Sequence, residues 1–330
     1  MKILITGVAG LLGANFSRHL LDKGYTVVGV DSFFGGYKEF LPKHKNFNFY
    51  NIDLENTKKV KELFRRETPD LVYHFAAYAS EGLSPFIRNF NYVNNVICSV
   101  NIINECIQRD IKIIFTSSMA VYGEQPTPFT ESMLPLPVDP YGIAKYAVEM
   151  DLSAAFTQFG LRYTIIRPHN VVGRYQNIWD RYRNVIGIFI RKTLNYESLV
   201  VYGDGEQTRA FSDIKYYMEP LESVSSSIYN NEIFNLGADR YYSLNETAMY
   251  VQKIARKHGF NPNIEHVQPR HEVKHAYCDH NKAKQLLNFK DKTDIECLIE
   301  DMFIWAKGIP VKKVKKMEYE VTKNIYNFWK

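Results

Sequence analysis

Short apolar runs rich in β-branched residues alternate with longer amphipathic stretches through the first half of the chain. The runs 2–6, 26–30, 48–51, 71–75, 113–116 and 163–167 read as strands, and 11–23, 58–67, 87–109 and 141–159 read as helices. Strands that alternate with helices of this length build βαβ units, which predicts an α/β fold around a parallel sheet. After about residue 170 the alternation loosens, and Gly203, Gly205 and Gly237 punctuate shorter strands. This part reads as a smaller α/β lobe whose segments leave and re-enter the main sheet. The expected division is residues 1–170 as the sheet domain, 171–306 mainly as the second lobe, and 307–330 as a tail.

Charge changes this picture in one place. The chain of 330 residues carries a formal net charge of +5, and residues 307–330 hold seven lysines against two glutamates, so the whole excess lies in the tail and the body is neutral. A basic stripe for nucleic acid is therefore not expected. With Tyr319, Ile325, Tyr326, Phe328 and Trp329 interleaved among its lysines, the tail reads either as a solvated end or as a segment docked on its own subunit. No apolar run approaches the ~20 residues of a membrane span, and the first residues read as a buried strand rather than a signal peptide. Cys98, Cys106, Cys278 and Cys297 show no metal-binding spacing, so reduced, mostly buried thiols and no metal are expected. Together these features predict a cytoplasmic protein.

Candidate chemistry begins at the first strand. Gly7-Val8-Ala9-Gly10-Leu11-Leu12-Gly13 follows that strand and opens the first helix. Glycines there allow a tight turn and a close approach of backbone amides to a pyrophosphate at the helix N-terminus. Asp31 ends the second strand, where a carboxylate accepts from adenosine ribose hydroxyls and repels a 2′-phosphate, favouring NAD over NADP. Asp53 and Leu54 after the third strand, and Phe75, Ala76 and Ala77 after the fourth, fall where an adenine edge and a ribose would pass. Tyr141 and Lys145 share a helix face at i and i+4. A lysine ammonium beside a phenol favours the phenolate, the form that can take a proton from a sugar hydroxyl.

These motifs, in order with Thr116-Ser117-Ser118-Met119-Ala120-Val121-Tyr122-Gly123, resemble the extended short-chain dehydrogenase/reductases, more narrowly their NAD-dependent nucleotide-sugar epimerase branch, over about residues 1–305. The resemblance implies a Rossmann-type doubly wound parallel sheet, bound NAD, a C-terminal substrate lobe and a homodimer formed by the helices around 87–109 and 141–159. It implies Tyr141, Lys145 and Ser118 as the catalytic group, with Ser118 at the sugar O4 and Lys145 on the nicotinamide ribose. It adds Asn95, Ser117 and Pro168 to the cofactor contacts. Asn170, Asn184, Val185, Tyr202, Arg209 and Arg270 are implied at the nucleotide-sugar end, with Arg209 gripping the diphosphate.

The implied reaction is C4 epimerisation of a nucleotide-diphosphate sugar, a UDP-sugar by family default, through a transient 4-keto sugar. Related dehydratases carry Asp-Glu directly after the Ser/Thr, and the decarboxylating and 3,5-epimerising relatives carry Glu or Cys at the second place. Met119 and Ala120 stand there and transfer no protons, which favours simple epimerisation. A nucleotide-sugar 4-reductase, a dehydratase-like enzyme and a non-catalytic NAD(H)-binding regulator are the competing readings. Glu81 reads as a hydroxyl acceptor or an exposed loop carboxylate, His169 as a structural histidine, and Asp180, Arg181 and Arg183 as a solvated face or hinge.

Overall fold

A computed structural model describes residues 1–270, 272–314 and 316–329; the remaining tail and motif positions, 271, 315 and 330, lie outside the described residues. In chain order the elements are β1 (Lys2–Thr6), α1 (Leu11–Asp22), β2 (Thr26–Asp31), β3 (Phe47–Asn51), α2 (Thr57–Glu67), β4 (Leu71–His74), α3 (Arg88–Tyr92), α4 (Cys98–Arg109), β5 (Lys112–Thr116), α5 (Pro140–Phe159) and β6 (Tyr163–Pro168). There follow β7 (Val171–Val172), α6 (Val185–Leu194), β8 (Leu199–Tyr202), β9 (Thr208–Ala210), β10 (Ser212–Asp213), α7 (Met218–Ser223) and β11 (Glu232–Leu236). The last elements are β12 (Tyr241–Ser243), α8 (Leu244–Lys257), β13 (Ile264–Val267), β14 (His275–Ala276), α9 (Asn281–Leu286) and α10 (Ile295–Lys307).

The seven-stranded sheet has the order β11-β6-β5-β4-β1-β2-β3 with every pair parallel. Strand order reverses between β1 and β4, so the chain diverges above their carboxyl ends and opens a crevice there. β1 and β5 are almost continuously apolar because both faces of the sheet are covered. One face packs on α2, α4 and α5 through Val60, Phe64, Ile102, Val148 and Leu152. The other packs on α1, α7 and α9 through Phe16, Leu20, Leu221 and Ala283. β11 is the late segment that re-enters the sheet. A separate cluster joins α6, α8 and α10 through Phe189, Val251, Ile299 and Phe303, beside the small pairings β8–β13, β7–β10 and β12–β9–β14.

The expected helix over 87–109 is interrupted. Residues 93–97 widen into a π-turn between α3 and α4, and the reason is Asn95. Its amide accepts from the Tyr78 backbone N–H at 2.9 Å and donates to the Tyr78 carbonyl at 3.2 Å and to Asn91 at 2.8 Å. One extra residue in the turn lets that side chain point into the loop after β4. The helix bearing Tyr141 begins one residue earlier than expected, at Pro140. Asp139 caps it, accepting from Tyr141 N–H at 2.9 Å and Gly142 N–H at 3.0 Å, with proline at the first helical position. The tail docks on its own subunit: Ile325 and Trp329 are buried against Phe86, Ile87 and Tyr182. Among the described residues, no helix is long and apolar enough to cross a membrane.

Candidate active site

The crevice above β1 and β4 is a cavity of about 460 Å³, within the ~300–1,000 Å³ usual for small-molecule sites. Its floor is the glycine turn. Gly7 holds a φ of 70°, and a β-carbon on it would stand 2.8 Å from the Ala76 amide nitrogen. A β-carbon on Gly13 would stand 2.3 Å from the Gly7 carbonyl oxygen, so this glycine lets α1 press on the turn. Asp31 accepts from the amides of Ala9 at 2.9 Å and Phe33 at 2.7 Å. Burial lifts its carboxyl above the ordinary range, and those two amides pull it back. A narrow glycine cradle, with a carboxylate at the end of the next strand, fits a dinucleotide diphosphate and its ribose.

At the reacting end, α5 carries Tyr141 and Lys145 and the end of β5 carries Thr116, Ser117 and Ser118. The Ser118 hydroxyl accepts from Ala120 N–H at 3.1 Å, which leaves its single proton to donate. Placed beside the Tyr141 oxygen, the Ser118 hydroxyl favours the ionised phenol. Lys145 Nζ donates to the Thr116 carbonyl at 2.7 Å and lies 4.7 Å from the Phe115 ring centroid. Burial brings its amine down to about 7, opposed by Glu149 one turn further along. Glu149 is itself held by Arg167, whose Nε and Nη2 donate to the two carboxylate oxygens at 2.9 and 2.5 Å.

The protein's own groups do not lower the Tyr141 pKa, contrary to the expectation for a lysine neighbour. Burial raises it first, the Glu81 carboxylate second and Asp139 also, against Ser118 and Arg183. A half-neutralised amine whose hydrogen bond goes to a carbonyl, 6.0 Å from the Tyr141 ring centroid, has little charge to offer.

The far end is built from loops. Asn170 has a φ of 39°, a strained value for a side chain other than glycine. Asn170 Nδ2, Asn184 Oδ1 and Arg270 Nε at this end are buried without a hydrogen-bond partner in the protein, as are Thr116 Oγ1 and Ser117 Oγ at the end of β5. Arg209 is more committed: it donates to Glu272 at 3.0 Å and to the carbonyls of Thr208, Lys274 and Val273 at 2.8, 3.2 and 2.7 Å. Arg270 donates to the same Glu272 oxygen at 2.9 Å and sits 4.8 Å from the Tyr202 ring centroid. Glycine turn, capped tyrosine and paired arginines thus line one cavity.

A family model described as the NAD dependent epimerase/dehydratase family matches residues 3–237. The chain belongs to the NAD-dependent epimerase/dehydratase family. It is 28% identical to a UDP-glucose 4-epimerase of Halalkalibacterium halodurans over 330 residues, with 94% of this chain and 97% of that one covered. Its structure is similar to the UDP-glucose 4-epimerase of Thermotoga maritima solved with UDP-glucose, at a TM-score of 0.85 and 30% identity over 93% of this chain and 99% of that chain. It is also similar to the UDP-glucuronic acid 4-epimerase of Bacillus cereus solved with UDP-glucuronic acid and NAD, at a TM-score of 0.84 and 26% identity, again over 93% and 99%. The fold is the Rossmann-type doubly wound sheet, and NAD is the family's cofactor.

Within this epimerase/dehydratase chain, the structure brings almost all the expected site residues onto the cavity wall, from Gly7, Gly10, Leu11 and Leu12 to Asp53, Leu54, Pro168 and Val185. Asn95 is the exception. It is fully buried behind the loop after β4 and spent on Tyr78, while Asn94 faces the cavity. Asp180, Arg181 and Arg183 do not form a solvated face. Asp180 is buried, accepting from Arg183 Nε at 2.9 Å and from the Tyr78 hydroxyl at 3.2 Å, and both arginines line the cavity. His169 is structural: it stacks on His280, with nitrogens 2.8 Å apart, and burial brings it down to about 3.

Glu81 does face the cavity. The residue is exposed to solvent at the cavity, and the protein crowded around its carboxyl lifts it to about 7, with Asp139 adding and Arg209 opposing. Glu272 and Asp139, which hold the arginines and the start of α5, had no mark in the sequence beyond Asp-Pro-Tyr, a helix-start pattern. Met119 and Ala120 do not reach the cavity; Met119 packs with Val121, Tyr122 and Phe129.

Proposed function

We propose that this protein is an NAD-dependent UDP-sugar 4-epimerase. The observation that carries the reading is one cavity in which the Tyr141 phenol, beside Ser118 and Lys145, stands between a dinucleotide cradle and a pair of arginines, with no proton-transfer side chain at 119 or 120. NAD on the glycine turn would supply hydride acceptance and return at one carbon and a positive charge to offset the burial and carboxylates that keep Tyr141 protonated. Gly7, Gly10, Leu11, Leu12 and Gly13 would hold its diphosphate, and Asp31 its adenosine ribose. Asp53, Leu54, Phe75, Ala76, Ala77, Ser117 and Pro168 would pass along its adenine and nicotinamide ends.

Tyr141 accepts the C4 hydroxyl proton as that carbon becomes a ketone and returns it when the other face is reduced. Ser118 has its proton free to donate to the sugar O4, and Lys145 is placed for the nicotinamide ribose. Asn170, Asn184, Val185, Tyr202, Arg209 and Arg270 hold the nucleotide diphosphate, with Arg270 Nε the unspent donor. Glu81 acts electrostatically on Tyr141, so a carboxylate on the sugar would face repulsion there. We therefore read the sugar as neutral at C6.

In this reading residues 1–170, completed by later segments, bind NAD, and residues 171–306 bind the nucleotide sugar. A homodimer is supported by the outward apolar side chains Ile97, Ile143, Met150 and Phe156 of the 93–97 turn and α5, 43–58% exposed. The four unpaired cysteines suit a cytoplasmic location. The test is to incubate the protein with a panel of UDP- and GDP-sugars in water and in D₂O and look for C4 epimers. Hydride return leaves no solvent deuterium at C4. Deuterium at C3 or C5 would overturn the mechanism, and stoichiometric release of NADH would replace an epimerase with an oxidoreductase.

A further inference from the structure

The tail crosses from one wall of the cavity to the other. Lys312 pairs with Glu39 at 2.6 Å and lies 4.4 Å from the Tyr37 ring centroid. Glu320 then joins the segment after the β4 loop: its amide donates to the Phe86 carbonyl at 2.9 Å, and its carboxylate accepts from the Asn89 and Phe90 amides at 2.6 and 2.8 Å. That wall carries Glu81 and Gly82 of the cavity lining. The residues on either side of Glu320 reach the opposite wall. The Tyr319 and Tyr182 hydroxyls are 2.8 Å apart, and Arg181 donates to the Phe328 carbonyl at 2.7 Å. Trp329 closes the span, 3% exposed, with its ring edge-on to Phe86 at 5.8 Å and to Tyr182 at 5.2 Å.

Phe328 makes the contact that bears on binding. Its ring centroid is 4.4 Å from that of Tyr202, tilted by 32°. Tyr202 lines the cavity at the end of β8, and the Arg270 guanidinium rests on the same tyrosine. Among the described residues the tail contributes none to the cavity lining, so its influence passes through Tyr202, Arg181 and Tyr182.

We propose that residues 317–329 form a strap across the nucleotide end of the pocket, with Phe328 as a positioning residue that fixes Tyr202, and Arg270 upon it, for a nucleoside diphosphate. The inference rests on the nucleotide-sugar reading above. Side chains ordered before binding cost no entropy when the ligand arrives, and losing that order at two long side chains weakens binding by about tenfold. Ring contacts such as Phe328 on Tyr202 are the kind that hold such order.

The test titrates the full-length NAD-loaded protein with UDP, dTDP, GDP and ADP by calorimetry, for the wild type, Phe328→Ala and Phe328→Tyr. The expected result is that the nucleotide bound most tightly by the wild type loses about tenfold in affinity in Phe328→Ala. Phe328→Tyr, which keeps the ring, restores it, and NAD affinity is equal in all three. On a turned-over sugar the same change appears in KM, with kcat within about threefold. If the wild type binds one of the nucleotides and Phe328→Ala binds it equally well, the strap is overturned while the epimerase reading stands. If the wild type binds none of the four, the nucleotide-sugar reading fails and takes the strap with it.

Discussion

The two ends of the cavity are built in opposite ways. At the reacting end the principal groups are already held within the protein: Asp139 accepts from two amides, Ser118 accepts from Ala120 N–H, and Lys145 donates to a carbonyl. These side chains sit on a strand end and a helix whose packing fixes them, as proton transfer requires. At the nucleotide end Asn170, Asn184 and Arg270 keep buried atoms without partners, on loops from distant parts of the chain. Unpaired buried donors and acceptors are costly, so this end gains most when a ligand fills it. One end is preorganised for chemistry, the other is poised for binding.

Three substitutions would break or sharpen that contrast. The largest effect is expected for Tyr141→Phe, which lowers turnover by at least ~10²-fold with NAD and nucleotide affinity retained; steady-state rates beside calorimetry decide it, and near-normal turnover would remove Tyr141 from its role. Arg270→Ala at the other end should raise KM by about tenfold with kcat changed less than about threefold. A matching fall in kcat would mean the two ends are not separable. The smallest effect is at Glu81. Wild type should favour a neutral sugar over a uronate, and Glu81→Gln should narrow that preference by about threefold to tenfold, the size of one partly screened charge contact.

The sign of the pH dependence follows from the raised carboxyl. Crowding by the surrounding protein lifts the Glu81 carboxyl to about 7, so the repulsion of a uronate is expected to be full above that pH and to fade as the pH falls below it and the carboxyl takes up a proton. Measuring KM for UDP-glucose and UDP-glucuronate from pH 6 to 8 checks this. A preference independent of pH in the wild type, or unchanged in Glu81→Gln, would exclude Glu81 from sugar selection.

How much of this was legible differs from residue to residue. The strands through β6 and the glycine turn could be read to within a residue or so, because continuous apolar runs and φ-permissive glycines are local signals. Tyr141, Lys145 and Ser118 were legible as a resemblance in motif order. Asn95 was misplaced because nothing local distinguishes an asparagine facing a ligand from one that turns inward to bond a loop backbone. The upward push on the Tyr141 phenol by the protein's own groups was not legible, since i, i+4 spacing shows a lysine but neither its burial nor the Glu81 carboxylate, 60 residues upstream. Asp180 and Arg183 looked solvated for the same reason: their partner, Tyr78, comes from 102 residues upstream of Asp180.

By itself the sequence determined the α/β alternation, the dinucleotide turn and the acidic strand end after it, and the identity of one phenol and one lysine on a helix face. These depend on periodicity and on backbone permissiveness, which act over a few residues. Tertiary structure alone decided which charges are buried together, which arginines Glu272 already holds, and where the aromatic tail lies. Those depend on dielectric and distance between segments far apart in the chain, and no local pattern carries them.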